Sequence, residues 1–458
     1  MSSKLTKVVN ELGLLTILRA PPDLYIIFLA RFLRMAAYGG VSLILAVFLT
    51  ALDTSEAHVG LFMTLTLLGD VLLSLLLTLV ADAWGRRRIL LLGCAGMLLA
   101  GATFALANGF LALLLAAVLG VISVNGNEIG PFRAIEESVL AGLVDEGARS
   151  DVFAWYVVVG TLGSALGLSG AGWLVEGGKT LRGWDDLAAY RAVFWGYAGI
   201  GVIKLVATLR LSQKCEVEGE KHSAEYVALN TRPPGEDEDE PAPPPPPKPK
   251  KMGFAQLSVK TRWTLLRLCA LFAIDSLASG MVPYSLINFY MDRKFHMAKS
   301  QLGSIMSVVW IASSVGNIFA SAIAKRIGLV ATMVCTHLPS AVFLALTPAP
   351  ATRWPTVGLL VARGLLASMD QAPRSAFLSK VVAKEERTAV MGIVNVVKTL
   401  SQSGGPTITG VLAGEDRFWI AFVAAGTLKA SYDLGLLTFF LKVERAAVKR
   451  AASFEADQ

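Results

Sequence analysis

The chain has 458 residues, 54% of them hydrophobic and 17% charged, with a formal net charge of +7. A soluble domain carries about 45–50% apolar and about 25% charged residues, so lipid is the expected solvent, and a disordered chain is excluded. Cys94, Cys215, Cys269 and Cys335 are scattered without paired spacing, which excludes a disulfide-rich module, and the basic balance reads as positive cytoplasmic loops rather than a nucleic-acid surface.

A helix needs about 20 apolar residues to cross a bilayer. Twelve such segments are predicted, at 24–51, 59–80, 89–108, 110–132, 152–175, 192–211, 264–290, 301–323, 329–348, 355–373, 390–413 and 418–441. The fourth and tenth are the weakest, with Pro131 and Pro373 near their ends. No cleavable signal peptide is expected, because the first long apolar run is a full span. Arg86, Arg87, Arg88, Arg149, Lys325, Arg326, Lys380, Lys384 and Arg387 fall on one side if the N-terminus is inside. Both termini are therefore expected in the cytoplasm, while Lys179, Arg182, Arg293, Lys294 and Lys299 run against the bias.

The hydrophobic pattern breaks at 212–260, where the acidic run Glu236–Glu240 precedes prolines 243–247 and Lys248, Lys250 and Lys251. Such a segment buries too little surface to fold and is expected to be a solvated, stiff spacer. The expected organisation is a six-helix bundle at 1–211, the cytoplasmic linker, a second bundle at 261–441 and a tail at 442–458.

The two halves match when slid by about 240 residues. Arg149 falls on Arg387, Gly167 on Gly405 and Gly172 on Gly410. Gly39 falls on Gly280, and Glu128-x-x-Pro131 falls on Asp370-x-x-Pro373. Repeated bundles with a site between them near mid-bilayer are a common build for secondary transporters.

After the second segment the chain reads Gly69-x8-Thr78-x3-Asp82-Ala83-Trp84-Gly85-Arg86-Arg87. A glycine permits a tight turn, and a carboxylate at a helix end can pair with arginine. The run resembles the signature of the major facilitator superfamily, G-x8-G-x3-D-R/K-x-G-R/K-R/K, with Thr78 and Ala83 departing from it. Phe272–Ser276, Thr336–Ser340, Met369–Arg374 and Lys429–Asp433 resemble segments of a widespread branch of the same superfamily. The resemblance implies an all-α membrane protein with two pseudo-symmetric six-helix bundles, alternating access, and a cavity lined by the first, fourth, seventh and tenth spans. It implies no substrate. Asp82, Gly85, Arg86, Arg87, Arg149 and Arg387 are candidates for a conformational latch. The counterpart in the second half, Ala324–Gly328, lacks the acid. The glycine runs of the fifth and eleventh spans read as close helix packing.

Ionisable groups deep in a membrane are functional candidates, because each costs several kcal/mol to place there. Arg34, Asp70 and Asp275 lie near the middle of their spans. Arg34 and Asp70 are expected within pairing reach. The repeat makes Arg34 and Asp275 counterparts of opposite sign, and the resemblance turns both to the cavity. Glu128, Arg363, Asp370 and Lys398 complete the candidates for substrate or ion coupling. Arg31, Lys204, Lys429 and Asp433 are expected to be structural, His337 to be a satisfied core imidazole, and Tyr38, Tyr284, Phe289 and Tyr290 to pack.

The function expected is secondary active transport of a small polar or ionic solute, coupled to protons, by a monomer in the bilayer without a cofactor or metal. Carboxylates unpaired at Asp275 or Asp370 would be the proton carriers. No G-x4-G-K-[ST] loop supports a nucleotide-driven pump. A receptor or scaffold that uses the linker, and a membrane-embedded enzyme, are the competing classes. Nothing in the histidine spacing favours an enzyme.

Overall fold

The computed structural model describes residues 14–122, 124, 131–216, 259–371, 373–374, 377 and 387–456. They form an all-helical molecule in two halves. The first holds α1 (Leu14–Leu18), α2 (Pro22–Ala51), α3 (Glu56–Trp84), α4 (Arg86–Leu106), α5 (Phe110–Leu119), α6 (Pro131–Leu143), α7 (Glu146–Arg182) and α8 (Asp186–Leu209). The second holds α9 (Val259–Met281), α10 (Tyr284–Phe295), α11 (Lys299–Ile327), α12 (Leu329–Leu346), α13 (Arg353–Ala367), α14 (Arg387–Gly414) and α15 (Phe418–Ala456).

Helix ends follow local chemistry. Pro22 opens α2, where a missing N–H costs nothing. Asp185 caps α8 by accepting from the Ala188 amide at 3.0 Å. Gly183 ends α7 in the left-handed region at φ 66°.

Eight of the described helices are long and apolar enough to cross a membrane, and nine if α9 and α10 count as one span bent by 41°. Leu72, Leu75, Leu99, Leu111, Leu166 and Ile318 stand on the outside of the bundle, as lipid-facing residues do. Each of the twelve predicted segments has a helix. In the fourth, α5 ends at Leu119 and α6 begins at Pro131, and the seventh is broken at Val282–Pro283. The last helix continues to Ala456, beyond the predicted end of the span at 441. Of the predicted linker, residues 217–258 lie outside the described residues; Gln213–Cys215 form one 3-10 turn before them.

The repeat is visible in the packing. A Cβ at Gly39 would lie 2.2 Å from the Ser164 carbonyl oxygen, and one at Gly280 would lie 1.9 Å from the Gln402 carbonyl oxygen. Both are backbone-close crossings of the first and fifth predicted spans of a half, α2 with α7 and α9 with α14, as small-residue faces allow. The main apolar core joins both halves through Leu43, Ile44, Phe48, Phe62, Ile287, Leu302 and Met306. Two smaller cores lie within single halves, one around Phe272, Phe377 and Tyr432, the other around Leu24, Phe132 and Tyr156.

Candidate transport site

The halves meet at the end that carries the loops at 52–55, 183–185, 296–298 and 415–417. There Gly60 of α3 faces Gly410 of α14 so closely that a Cβ would lie 2.9 Å from the Gly410 Cα. A Cβ on Gly172 of α7 would lie 2.3 Å from the Lys299 carbonyl oxygen of α11. The hydroxyl of Thr407 bonds that of Thr64 at 2.7 Å, and Ser169 bonds Ser307 at 2.8 Å. Arg293 bridges Glu56 and Asp416, the latter at 2.5 Å, and donates to the Ala413 carbonyl at 3.1 Å. Lys299 pairs with Asp292. This end is closed.

Deeper in, each half holds a buried ion cluster. In the first, Arg34 of α2 binds Glu136 of α6 through two bonds of 2.5 and 2.7 Å. The Tyr156 hydroxyl of α7 donates to the same carboxylate at 2.6 Å. Arg31 stacks on the Tyr156 ring at 4.5 Å. Lys204 of α8 is buried, with its ammonium 3.4 Å from the Met97 sulfur. Arg34, Glu136, Lys204, Cys94 and Thr208 line a space of about 10 Å³, the size of one water.

In the second half, Asp275 of α9 accepts from Arg374 at 3.0 Å and from Lys429 of α15 at 2.8 Å. Arg374 also pairs with Asp370. It sits between the rings of Phe272 and Tyr432 at 5.3 and 5.2 Å. Lys429 donates to Ser279 at 2.7 Å. His337 of α12 contacts Asp433 through Nδ1 at 2.9 Å, and its Nε2 lies 3.7 Å from Asp275. Lys398 of α14 lies over Phe272 at 5.8 Å.

The clusters occupy equivalent positions with signs exchanged. Arg34 and Asp275 are 241 apart (275 − 34), Glu136 and Arg374 are 238 apart (374 − 136), and Met97 and His337 are 240 apart (337 − 97). A buried charge needs its partner, so a repeat can exchange the two residues but cannot change one alone.

Several sequence expectations meet different partners here. Arg34 meets Glu136, while the buried Asp70 leaves its Oδ1 without a hydrogen bond among the described residues. Asp275 and Asp370 are paired, so they are not the lone carboxylates expected above. The ion pairs of Arg34 with Glu136 and of Asp275 with Arg374 lie within single halves. Arg363 is buried, and its Nη1 makes no hydrogen bond among the described residues. Lys429, Asp433 and His337, read as structural, belong to the charge cluster. Glu136 was missed, and the repeat could have found it as the acid facing Arg34 where Arg374 faces Asp275. Glu128 lies outside the described residues, as do the side chains of Asp82 and Arg387.

Of the remaining latch residues, Gly85 turns the chain at φ 95° between α3 and α4, a conformation that favours glycine. The amides of Arg86 and Arg87 donate to the Glu216 carboxylate at 2.7 and 3.2 Å. A carboxylate there caps the positive end of α4. Arg87 also donates to the Leu209 carbonyl, and Arg149 to the Ala141 carbonyl at 3.1 Å.

The model of the Major Facilitator Superfamily matches residues 27–283 and 268–457. The chain belongs to the major facilitator superfamily. It is 35% identical over 433 residues to YJR124C, an uncharacterized membrane protein of Saccharomyces cerevisiae, covering 94% of this chain and 96% of that one. Among solved structures it resembles the nucleoside transporter NupG (TM-score 0.67, 14% identity, 91% of this chain and 100% of that one). It also resembles a D-xylose-proton symporter (TM-score 0.66, 12% identity, 91% and 97%). These likenesses carry the fold. The protein is an integral multi-pass membrane protein with a transporter fold, and the superfamily is typically non-enzymatic.

Proposed function

We propose that the protein is a secondary active transporter that moves a small polar or ionic solute by alternating access, coupled to protons. The observation that carries this reading is the pair of buried clusters at equivalent depths in two halves joined tightly at one end. Halves that close at one end must separate there and close at the other to pass a solute. The energy for that shift comes only from what binds one state better.

The proton site fits the second half. An imidazole set between Asp433 and Asp275 can pass a proton between two carboxylates. The groups facing it are Asp275 from α9, Asp370 and Arg374 from the chain after α13, Lys398 from α14, and Lys429, Tyr432 and Asp433 from α15. Protonation at this cluster would release Lys429 or Arg374 from Asp275 and loosen α9 from α15. In this reading both termini are cytoplasmic, the closed end faces outward, the segment 212–260 is a cytoplasmic linker, the protein acts as a monomer, and Asp82 with Gly85, Arg86, Arg87, Arg149 and Arg387 forms the latch.

The test starts with a thermal-shift screen of the purified protein against a solute library, since a ligand of the folded state raises apparent stability. The solute found is then followed into proteoliposomes under an imposed pH gradient. Wild-type protein should concentrate it, and folded Asp275→Asn protein should bind it but lose the gradient-driven component. Uptake indifferent to the gradient in wild-type protein refutes proton coupling. A bound solute that never crosses refutes the transporter.

A further inference from the structure

Where α2 meets α10 and α11 the two halves touch through uncharged groups. Tyr38 and Ser42 are one turn apart on α2. Tyr284 and Asn288 are one turn apart on α10, directly after the break at Pro283. Trp310 of α11 joins them, its ring 5.0 Å from that of Tyr284 at 34° and 6.3 Å from that of Tyr38 at 72°. The Asn288 amide nitrogen donates to the Ser42 carbonyl at 2.9 Å, and the Ser42 hydroxyl turns to the Gly39 carbonyl at 2.9 Å.

Three buried polar atoms in this junction make no hydrogen bond among the described residues: the Tyr38 hydroxyl, the Trp310 Nε1 and the Asn288 Oδ1. Tyr38 is 6% exposed and Asn288 0%. A buried polar group left unmet costs about 1–3 kcal/mol. Three of them beside one set of aromatic faces, at the seam between halves that must part, mark a place that something else fills. One is a donor, one an acceptor and one both. Tyr284 and Trp310 are only partly buried. The ion clusters around Arg34 and Asp275 are paired inside their own halves, and the residues named at this junction are uncharged.

We propose that Tyr38, Tyr284, Asn288 and Trp310 form the solute-recognition site, and that the solute is an uncharged polyhydroxylated ring, a monosaccharide or a nucleoside. The hydroxyls of such a ring both donate and accept, and its apolar edge lies on the aromatic faces. This inference rests on the transporter reading and names its substrate class.

The test measures binding to the full-length purified protein by thermal shift, with titration for affinity, at millimolar glucose, xylose, uridine or adenosine. Citrate, glutamate and lysine serve as charged comparators. At least one ring solute should stabilise the protein, and the charged set should not. Stabilisation by glucose or xylose assigns a sugar, and by uridine or adenosine alone a nucleoside. Tyr38→Phe removes only the O–H, and Trp310→Phe removes the N–H with one ring of the indole and keeps an aromatic face. Each should weaken binding about tenfold, the worth of one good hydrogen bond. Stabilisation by the charged set alone, by none of the seven, or equal affinity in both Phe variants overturns the site. Counterflow separates this from the reading beneath it. A ring solute that binds at these residues but is not exchanged by proteoliposomes leaves the site standing and removes the transporter. A charged solute that is exchanged does the reverse.

Discussion

Arg34→Leu should destabilise the protein severely, and adding Glu136→Leu should undo most of the damage. The pair is buried, with side-chain exposures of 11% for Arg34 and 2% for Glu136. Removing Arg34 strips the carboxylate of two charge-assisted bonds and leaves it the bond from the Tyr156 hydroxyl. Breaking a buried pair from one side costs about 3–5 kcal/mol, because the survivor's charge stays in a low dielectric. At about 1.4 kcal/mol per factor of ten, the folded population drops by two to nearly four powers of ten. Replacing both partners with apolar groups removes the desolvation cost of both ions, and such swaps are often neutral or stabilising by about 1–4 kcal/mol. Reversible denaturant unfolding in one detergent, run on wild type, both single variants and the double variant, gives the coupling energy. An Arg34→Leu cost under about 1 kcal/mol, the range of exposed pairs, would refute the buried-pair argument. So would a double variant as unstable as the sum of the singles. The double variant also separates roles: if it folds but no longer exchanges solute, the pair serves the cycle rather than the fold.

Gly60→Leu should hold the halves apart at the closed end, since even a Cβ there would lie 2.3 Å from the Pro406 carbonyl oxygen; single-cysteine labels at that end should react faster than in wild type, and unchanged labelling would count against the closure described. Asp82→Ala should slow exchange between the two end states, seen as slower interconversion of label accessibility at the two ends with folding intact; identical kinetics would remove Asp82 from the latch. Deleting residues 230–250 spares Glu216 and its cap on α4 and should leave transport largely intact, whereas loss of activity in a folded deletion variant would favour a scaffold that works through the linker.

The fold was legible because its signals are long. Each of the twelve apolar runs carries a helix, and the glycine matches survive as architecture. The glycines also behave as packing required: Gly39 and Gly280 sit at equivalent crossings against Ser164 and Gln402. Helix interruptions were harder to see. Hydropathy averages over a window, so the fourth segment reads from 110 to 132, through the end of α5 at Leu119 and only to the start of α6 at Pro131, and the rest of α6 falls between segments. That misplacement hid Glu136. The acidic pair Glu136-Glu137 looks like a solvated helix end when Pro131 is taken as the end of a span. In fact Glu137 pairs with Arg133 at half-exposed positions, while Glu136 turns inward to Arg34.

The same error explains why Asp70 was given to Arg34. Depth along a helix, at 1.5 Å per residue, places two groups at one level but says nothing about the face each presents. Arg34 and Asp70 share a level, and only packing decides the partner. A sequence test based on the repeat would have done better had it sought complementary rather than identical residues. Asp275 and Arg374 stand where Arg34 and Glu136 stand, so aligning by like charge discards the match that aligning by pair reveals. The exchange keeps each cluster satisfied while changing what surrounds it. Around the first pair, Lys204 adds a cation beside a thioether. Around the second, Asp433 and His337 add an acid and a titratable ring. The surroundings of the two pairs therefore differ: the second cluster holds an imidazole between two carboxylates, and the first holds an ammonium beside a thioether.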